Sequence, residues 1–277
     1  MTEGKKRFWT GAGIAIATYA VLLLPSKVWP VSLAATLLSA VAVYEIYRAA
    51  GMDQDRRLLS FSILAAGLFV CLPTAADQVI LPAAYIASVL FYGCLIVRAG
   101  DILLRQRWQH VLITFGVVLM FKAIPVLRQQ KHGLFCLIVA VTSCFLTDAA
   151  AYHVGKRWGK HKLISKVSPN KTLEGACGGT AIAVALLAVL KRLIGWLTGS
   201  NAAWSSYLLL VFLLSLTAQV GDLAMSALKR HYDVKDFGTI LPGHGGILDR
   251  FDSQLFVIAA VNSFVLMFPT FSANCFR

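Results

Sequence analysis

Charge is what this chain has least of. Asp, Glu, Lys and Arg make up 14% of its 277 residues, against about 25% in ordinary soluble domains. Apolar residues rise to 58%, and the mean hydropathy is +0.70. A soluble core of this size would leave apolar patches well beyond the few hundred Å² that soluble monomers tolerate. That excludes a soluble globular enzyme, and it excludes disorder, which needs low hydrophobicity and high charge. Cysteine pairing is also missing. The six cysteines stand singly in apolar runs, with no CxxC and no His at ligand spacing, and read as packing residues. There is no internal repeat and no polar stretch long enough for a soluble domain.

What remains is a series of apolar runs. A spanning helix needs about 20 mostly apolar residues. Breaks at charge clusters, Pro and Gly give nine candidates: 8–24, 28–47, 58–73, 79–97, 110–127, 133–153, 177–197, 205–228 and 253–273. The third and fifth are short, so the expectation is an all-α polytopic membrane protein of about nine helices. Lys5-Lys6-Arg7 and the apolar run to Leu24 look like a signal peptide without a cleavage site, so a retained first span is expected. The chain reads as one transmembrane domain, 1–277, with N-terminal helices over 1–130 and a catalytic half over 131–277. Two polar connectors, 155–176 and 229–252, interrupt that half. With the N-terminus inside, nineteen of the twenty-six Lys and Arg fall on the side of these connectors. The positive-inside rule then makes that side cytoplasmic and the C-terminus external. Placement, rather than the net charge of +13, carries the information, and nucleic acid is not an expected partner.

Most of the chemistry lies between 222 and 252. On a helix, Asp222, Ser226, Lys229 and Arg230 share one face, with a carboxylate deep in the span and two cations at its mouth. An ionisable group inside a bilayer costs at least about 2.5–3.5 kcal/mol, so it faces a partner or a wet cavity. An Asp222–Lys229 tether within one helix is the bland alternative. Gly243, Gly245 and Gly246 allow close backbone approach, and their amides suit phosphate oxygens. Asp249 and Asp252 share a face three residues apart. Carboxylates among Lys and Arg are the composition that binds a divalent ion together with a polyphosphate.

These residues resemble a family. Ser226-x-Leu228-Lys229-Arg230, four residues, Lys235-Asp236, then Pro242-x-His244-Gly245-Gly246-x-x-Asp249-Arg250-x-Asp252 is similar to the signature of the phosphatidate cytidylyltransferases, the CDP-diacylglycerol synthases. Every fixed position is filled over 27 residues. Asp148 through Gly155-Lys156, and Ser168-Pro169-Asn170-Lys171-Thr172-Leu173-Glu174-Gly175, look like further family elements, with Leu173 where the family often has an aromatic. Residues 1–130 agree only in hydropathy. The resemblance implies attack of phosphatidic acid on the α-phosphorus of CTP, giving CDP-diacylglycerol and pyrophosphate. It implies Mg²⁺ on Asp222 and Asp249, with Asp148 or Asp252 as ligands of a second metal ion, left open, or as supporting groups. Lys171, Lys229, Arg230, Lys235 and Arg250 become phosphate clamps. Ser226, Asn170, Asp236, His244 and the amides near Gly245 and Gly246 become secondary substrate contacts. The expected partners are CTP, phosphatidic acid and membrane lipids, with a homodimer left open. The expected location is an inner membrane, bacterial in preference to a eukaryotic inner or reticular one, with the site facing the cytoplasm.

Other residues carry weaker readings. Glu45 beside Arg48 reads as a structural pair, and Glu174 as a cap or a local partner of Lys171. The basic run Lys156–Lys162 reads as a headgroup anchor or a substrate funnel. Trp9, Trp29, Trp108 and Trp204 read as interfacial anchors. Two rivals stand beside the main reading. A polyprenol kinase-like enzyme would lack the full His-Gly-Gly-x-x-Asp-Arg-x-Asp ending. A transporter would show repeated halves, and there are none. A CDP-alcohol phosphotransferase is excluded by the lack of a DGxxAR run.

Overall fold

A computed structural model describes residues 28–72, 74, 76–97, 107–198, 203–240 and 245–269, together with 13, 16 and 18–23. The expected first span, 8–24, therefore lies mostly outside the described residues, as do Gly243, His244, Trp9 and Cys275. Among the described residues from 28 onward, eight long helices and one hairpin follow in order: α1 (Trp29–Ala49), α2 (Arg56–Cys71), α3 (Asp77–Val97), α4 (Arg107–Gln129), α5 (Gly133–Trp158), β1 (Lys162–Ile164), β2 (Ser168–Thr172), α6 (Leu173–Thr198), α7 (Trp204–His231) and α8 (Leu248–Met267). Seven of these helices are long and apolar enough to cross a bilayer. The exception is α2, whose 16 residues reach only about 24 Å.

Local signals set the boundaries. Pro30 stands in the first turn of α1, where its missing N–H is harmless. The helix ends in a Schellman turn: Gly51, at φ 68°, donates to the carbonyl of Arg48, and Met52 to that of Tyr47. Asp55 then caps α2, accepting the N–H of Leu58 at 3.2 Å. From Val117 to Leu127 every residue of α4 is buried, which makes it a central helix, packed by α1, α2, α3, α5 and α8. By contrast, α3 leaves Val79, Ile86 and Leu90 exposed and forms part of the outer wall.

Helices α5 and α6 make the closest crossing. A Cβ on Gly155 would lie 2.8 Å from Thr172 Oγ1, and one on Gly175 would lie 2.8 Å from the carbonyl of Ala151. Small residues here let the two backbones touch, as membrane helix interfaces require. The hairpin between them is short and antiparallel. Glu174 fastens its base by accepting the amides of Lys160 and His161 and by pairing with His161 Nδ1 at 2.6 Å. Its expected partner Lys171 points elsewhere, because the hairpin turns that side chain across to α7.

The contacts put the chemistry at one end of the bundle. There lie the end of α1, the starts of α2 and α4, the end of α5, the hairpin, the end of α7 and the start of α8, joined by Arg107–Asp55 at 3.8 Å and His110–Tyr232 at 3.1 Å. The opposite end holds one buried ion pair. Lys122, 1% exposed, meets Asp77 at 3.0 Å, donates to the carbonyl of Leu72 at 3.0 Å, and lies over the ring of Phe69. Thr74 donates to both oxygens of Asp77 through its N–H and hydroxyl.

Two connectors are shorter than the sequence suggests. Helix α5 continues to Trp158, because Lys156 and Arg157 in its last turn complement the carbonyl end of the dipole. Helix α8 begins at Leu248 rather than near 253, with Asp249 in its first turn. Of the five described cysteines, Cys71, Cys94 and Cys177 are exposed and Cys136 and Cys144 are buried.

Candidate active site

A cavity of about 720 Å³ opens at the charged end of the bundle. Its wall comes from the ends of α5 and α7, the hairpin and the starts of α6 and α8. Asp148, Asp222, Asp249 and Asp252 contribute carboxylates to that wall, and Lys156, Lys162, Lys171, Lys229 and Arg250 contribute cations. Asn170, Thr172 and Gln219 add neutral polar groups.

The ion pairs run between elements. Lys171, at the end of the hairpin, pairs with Asp222 on α7, and Ser226 approaches the other oxygen of Asp222 at 3.5 Å. Lys229 reaches across to α8, 3.0 Å from Asp249 and 3.6 Å from Asp252. The Asp222–Lys229 tether is therefore not the arrangement: each residue bonds a different element. Asp148 on α5 accepts a 3.4 Å hydrogen bond from Ser253. Asp148, Asp222 and Asp252 lie within Coulombic range of one another.

Asp249 differs from the other three. Its side chain is 1% exposed, and three donors occupy its oxygens. Oδ2 accepts the N–H groups of Phe237 at 2.9 Å and Gly246 at 2.8 Å, while Oδ1 accepts from Lys229. This carboxylate ties the loop entering α8 to α7. A hydroxyl chain ties the wall below it. Thr147 meets Ser215 at 2.8 Å, Ser215 donates to Thr180 at 3.1 Å, and Gln219 donates to Thr180 and to the carbonyl of Ala176. Thr172 caps α6 through the amide of Gly175 at 3.2 Å.

A model of the cytidylyltransferase family matches residues 5–268. The chain belongs to that family. It is 50% identical over 135 residues to the phosphatidate cytidylyltransferase of Bacillus subtilis (strain 168), a match covering 49% of each chain. It is 44% identical over 133 residues to that of Staphylococcus saprophyticus, covering 48% of this chain and 50% of the relative. A Staphylococcus aureus relative of the same name is 45% identical over 133 residues, with the same coverage. The chain spans about half the length of the curated relatives it matches.

Among the residues expected from sequence, Asp148, Asn170, Lys171, Asp222, Lys229, Asp249, Arg250 and Asp252 share the cavity wall. Ser226, Arg230, Lys235, Asp236, Gly245 and Gly246 do not line it. Arg230 turns to the carbonyl of Val234 at 3.4 Å, and the amide of Gly246 is used by Asp249. His244 falls outside the described residues. Tyr152 and Gln219 line the cavity without having been singled out, and Lys156 and Lys162, read as part of a headgroup anchor or a substrate funnel, line it too. Gln219 was within reach of spacing, since it lies three residues before Asp222 on the same helical face. The clearest omission is Glu45, which makes no ion pair with Arg48 among the described residues. It accepts the N–H groups of Ile247 at 2.9 Å and Leu248 at 2.8 Å instead.

Proposed function

We propose that the protein transfers the cytidylyl group of CTP to phosphatidic acid, forming CDP-diacylglycerol and pyrophosphate for phospholipid synthesis. The observation that carries this reading is one cavity, at the end of a membrane bundle, where cations and carboxylates from five elements converge. The names of the family relatives support the same substrates. A phosphate oxygen of phosphatidic acid forms a bond to the α-phosphorus of CTP. The bond from that phosphorus to the bridging oxygen breaks, and pyrophosphate leaves with the electron pair. The nucleophile is already an anion, so no strong base is needed. The site's task is to bring anions together and to hold the leaving group. Lys171 and Arg250 suit the phosphates, with Lys156 and Lys162 at the rim. Lys229 lends charge while it holds Asp249 and Asp252.

The donor set fits Mg²⁺. Among the described residues no three acidic, His or Cys side chains form a ready-made metal cage. Mg²⁺ does not need one, because it is bound by one or two carboxylates together with waters and substrate phosphates. Asp222, with Asp148 or Asp252, would hold it, while the three donors on Asp249 leave that residue to hold the loop. When bound, the ion neutralises triphosphate charge and stabilises the departing pyrophosphate. The charge split read from the sequence, nineteen of twenty-six Lys and Arg on the side of the two polar connectors, supports a cytoplasmic site in a bacterial inner membrane.

The test uses detergent-purified protein with phosphatidic acid, α-labelled CTP and Mg²⁺. CDP-lipid and pyrophosphate should appear together and should vanish on chelation. Release of a nucleoside diphosphate with a phosphorylated lipid would identify a kinase and overturn the reading.

A further inference from the structure

Helix α8 carries Asp249, Arg250 and Asp252 in its first turns, yet its own N-terminal residue supplies no cap. Free amides at a buried helix start are costly, at about 1–3 kcal/mol each when unsatisfied. Here the acceptor comes from α1, more than 200 positions earlier in the chain. Glu45 is 1% exposed, and each of its two oxygens takes one amide: Oε1 that of Ile247 and Oε2 that of Leu248. The fit is close on both sides. A Cβ on Gly246 would lie 2.6 Å from the Glu45 carboxyl carbon, and one on Gly238 would lie 2.8 Å from it. Next in the chain, Asp249 fixes the amides of Gly246 and Phe237. Two carboxylates therefore clasp one loop, and Lys229 meets Asp249 and Asp252 where that clasp sets them.

We propose that Glu45 is a positioning residue for the active site, fixing the start of α8 so that Asp249 and Asp252 meet Lys229. The proposal rests on the cytidylyl transfer read above. Glu45 touches no substrate-facing group, so its loss alters alignment more than substrate capture. Misplacement of about 1 Å in a reacting site costs on the order of 10²-fold in rate. Glu45→Ala should therefore lower kcat by roughly 10²-fold, with KM for CTP and for lipid changed only a few-fold. Glu45→Gln keeps one acceptor oxygen but sets an NH₂ against the second amide, so its kcat should fall between the two. Gly238→Ala pushes on the carboxylate from the loop side. It should lower kcat in the natural chain and add nothing in Glu45→Ala.

The assay measures kcat and KM on folded, monodisperse protein, with thermal unfolding in parallel. If Glu45→Ala does not fold, Glu45→Gln decides. A folded Glu45→Gln protein with natural kcat overturns the proposal, even if its melting point drops. So does a raised KM at unchanged kcat, or fully multiplicative losses in the Gly238→Ala double variant. A natural chain that makes no CDP-lipid overturns the proposed function itself. A natural chain that makes it beside an equally fast Glu45→Gln overturns only the role of Glu45.

Discussion

Replacing Asp249 with Asn separates two roles that the sequence motif cannot separate. The amide keeps one oxygen, enough for the N–H groups of Phe237 and Gly246 that now bond Oδ2. Its NH₂ then faces the Lys229 ammonium where Oδ1 accepted at 3.0 Å, setting donor against donor. Lys229 is left with Asp252 at 3.6 Å as its acidic neighbour on α8, in a setting where its side chain is 11% exposed. A charge-assisted hydrogen bond is worth about 1.5–3 kcal/mol. Breaking one partner of a buried pair costs about 3–5 kcal/mol. Asp252 retains part of the pairing, so the lower end, about 3 kcal/mol, is expected. This corresponds to a fall in unfolding midpoint on the order of 10 °C. Asp249→Asn should thus lose both stability and turnover, and a titration with excess Mg²⁺ should restore neither. Adding Lys229→Met removes the stranded cation and should recover part of the midpoint without recovering activity. The assay is scanning fluorimetry in detergent beside CDP-lipid formation across a Mg²⁺ series. An unchanged midpoint with turnover rescued by Mg²⁺ would refute the clasp and make Asp249 a metal ligand.

Three further outcomes are expected. Lys171→Ala frees Asp222 and removes a phosphate-facing cation, so turnover should fall about 10²–10³-fold; its side chain is 27% exposed, so folding should persist, and near-natural kcat/KM would remove it from the site. Lys122→Ala strands Asp77 at the other end of the bundle and should cost about 3–5 kcal/mol while leaving kcat per folded molecule intact; an unchanged unfolding midpoint would contradict that pairing. In a cysteine-free background, Lys160→Cys should react with an impermeant reagent only from the cytoplasmic side and Lys131→Cys only from the other; labelling of both from one side would break the topology.

The described helices were legible because each apolar run has its own composition to declare it. The site was partly legible for a similar reason: Asp222, Lys229, Asp249, Arg250 and Asp252 occupy fixed spacings that survive into one cavity wall. What the sequence hid are pairings between elements. Lys171 lies 51 positions before Asp222, and nothing local distinguishes that partner from Glu174, three residues away. Glu45 has Arg48 within one helical turn, and local spacing favours that neighbour over two amides on another helix. The hairpin escaped because strands of three and five residues leave no period to read. Helix α8 starts early because its acidic first turn, polar by composition, suits a helix N-terminus.

The ion pair between Lys122 and Asp77 also bears on how the chain enters the membrane. Asp77 belongs to α3 and Lys122 to α4, so the acid emerges from synthesis about 45 residues before its counter-ion. A lone charge costs at least about 2.5–3.5 kcal/mol at mid-bilayer and less at the membrane edge, where Asp77, the first residue of α3, stands. Until α4 arrives, Thr74 is the side-chain partner that Asp77 has within its own segment among the described residues. Sealing that end of α3 away from water is therefore uphill until its partner is made. The two helices gain by packing as a pair, so that the neutral unit forms as that end is closed off. The pair thus imposes an order on assembly, at the end of the bundle farthest from the chemistry.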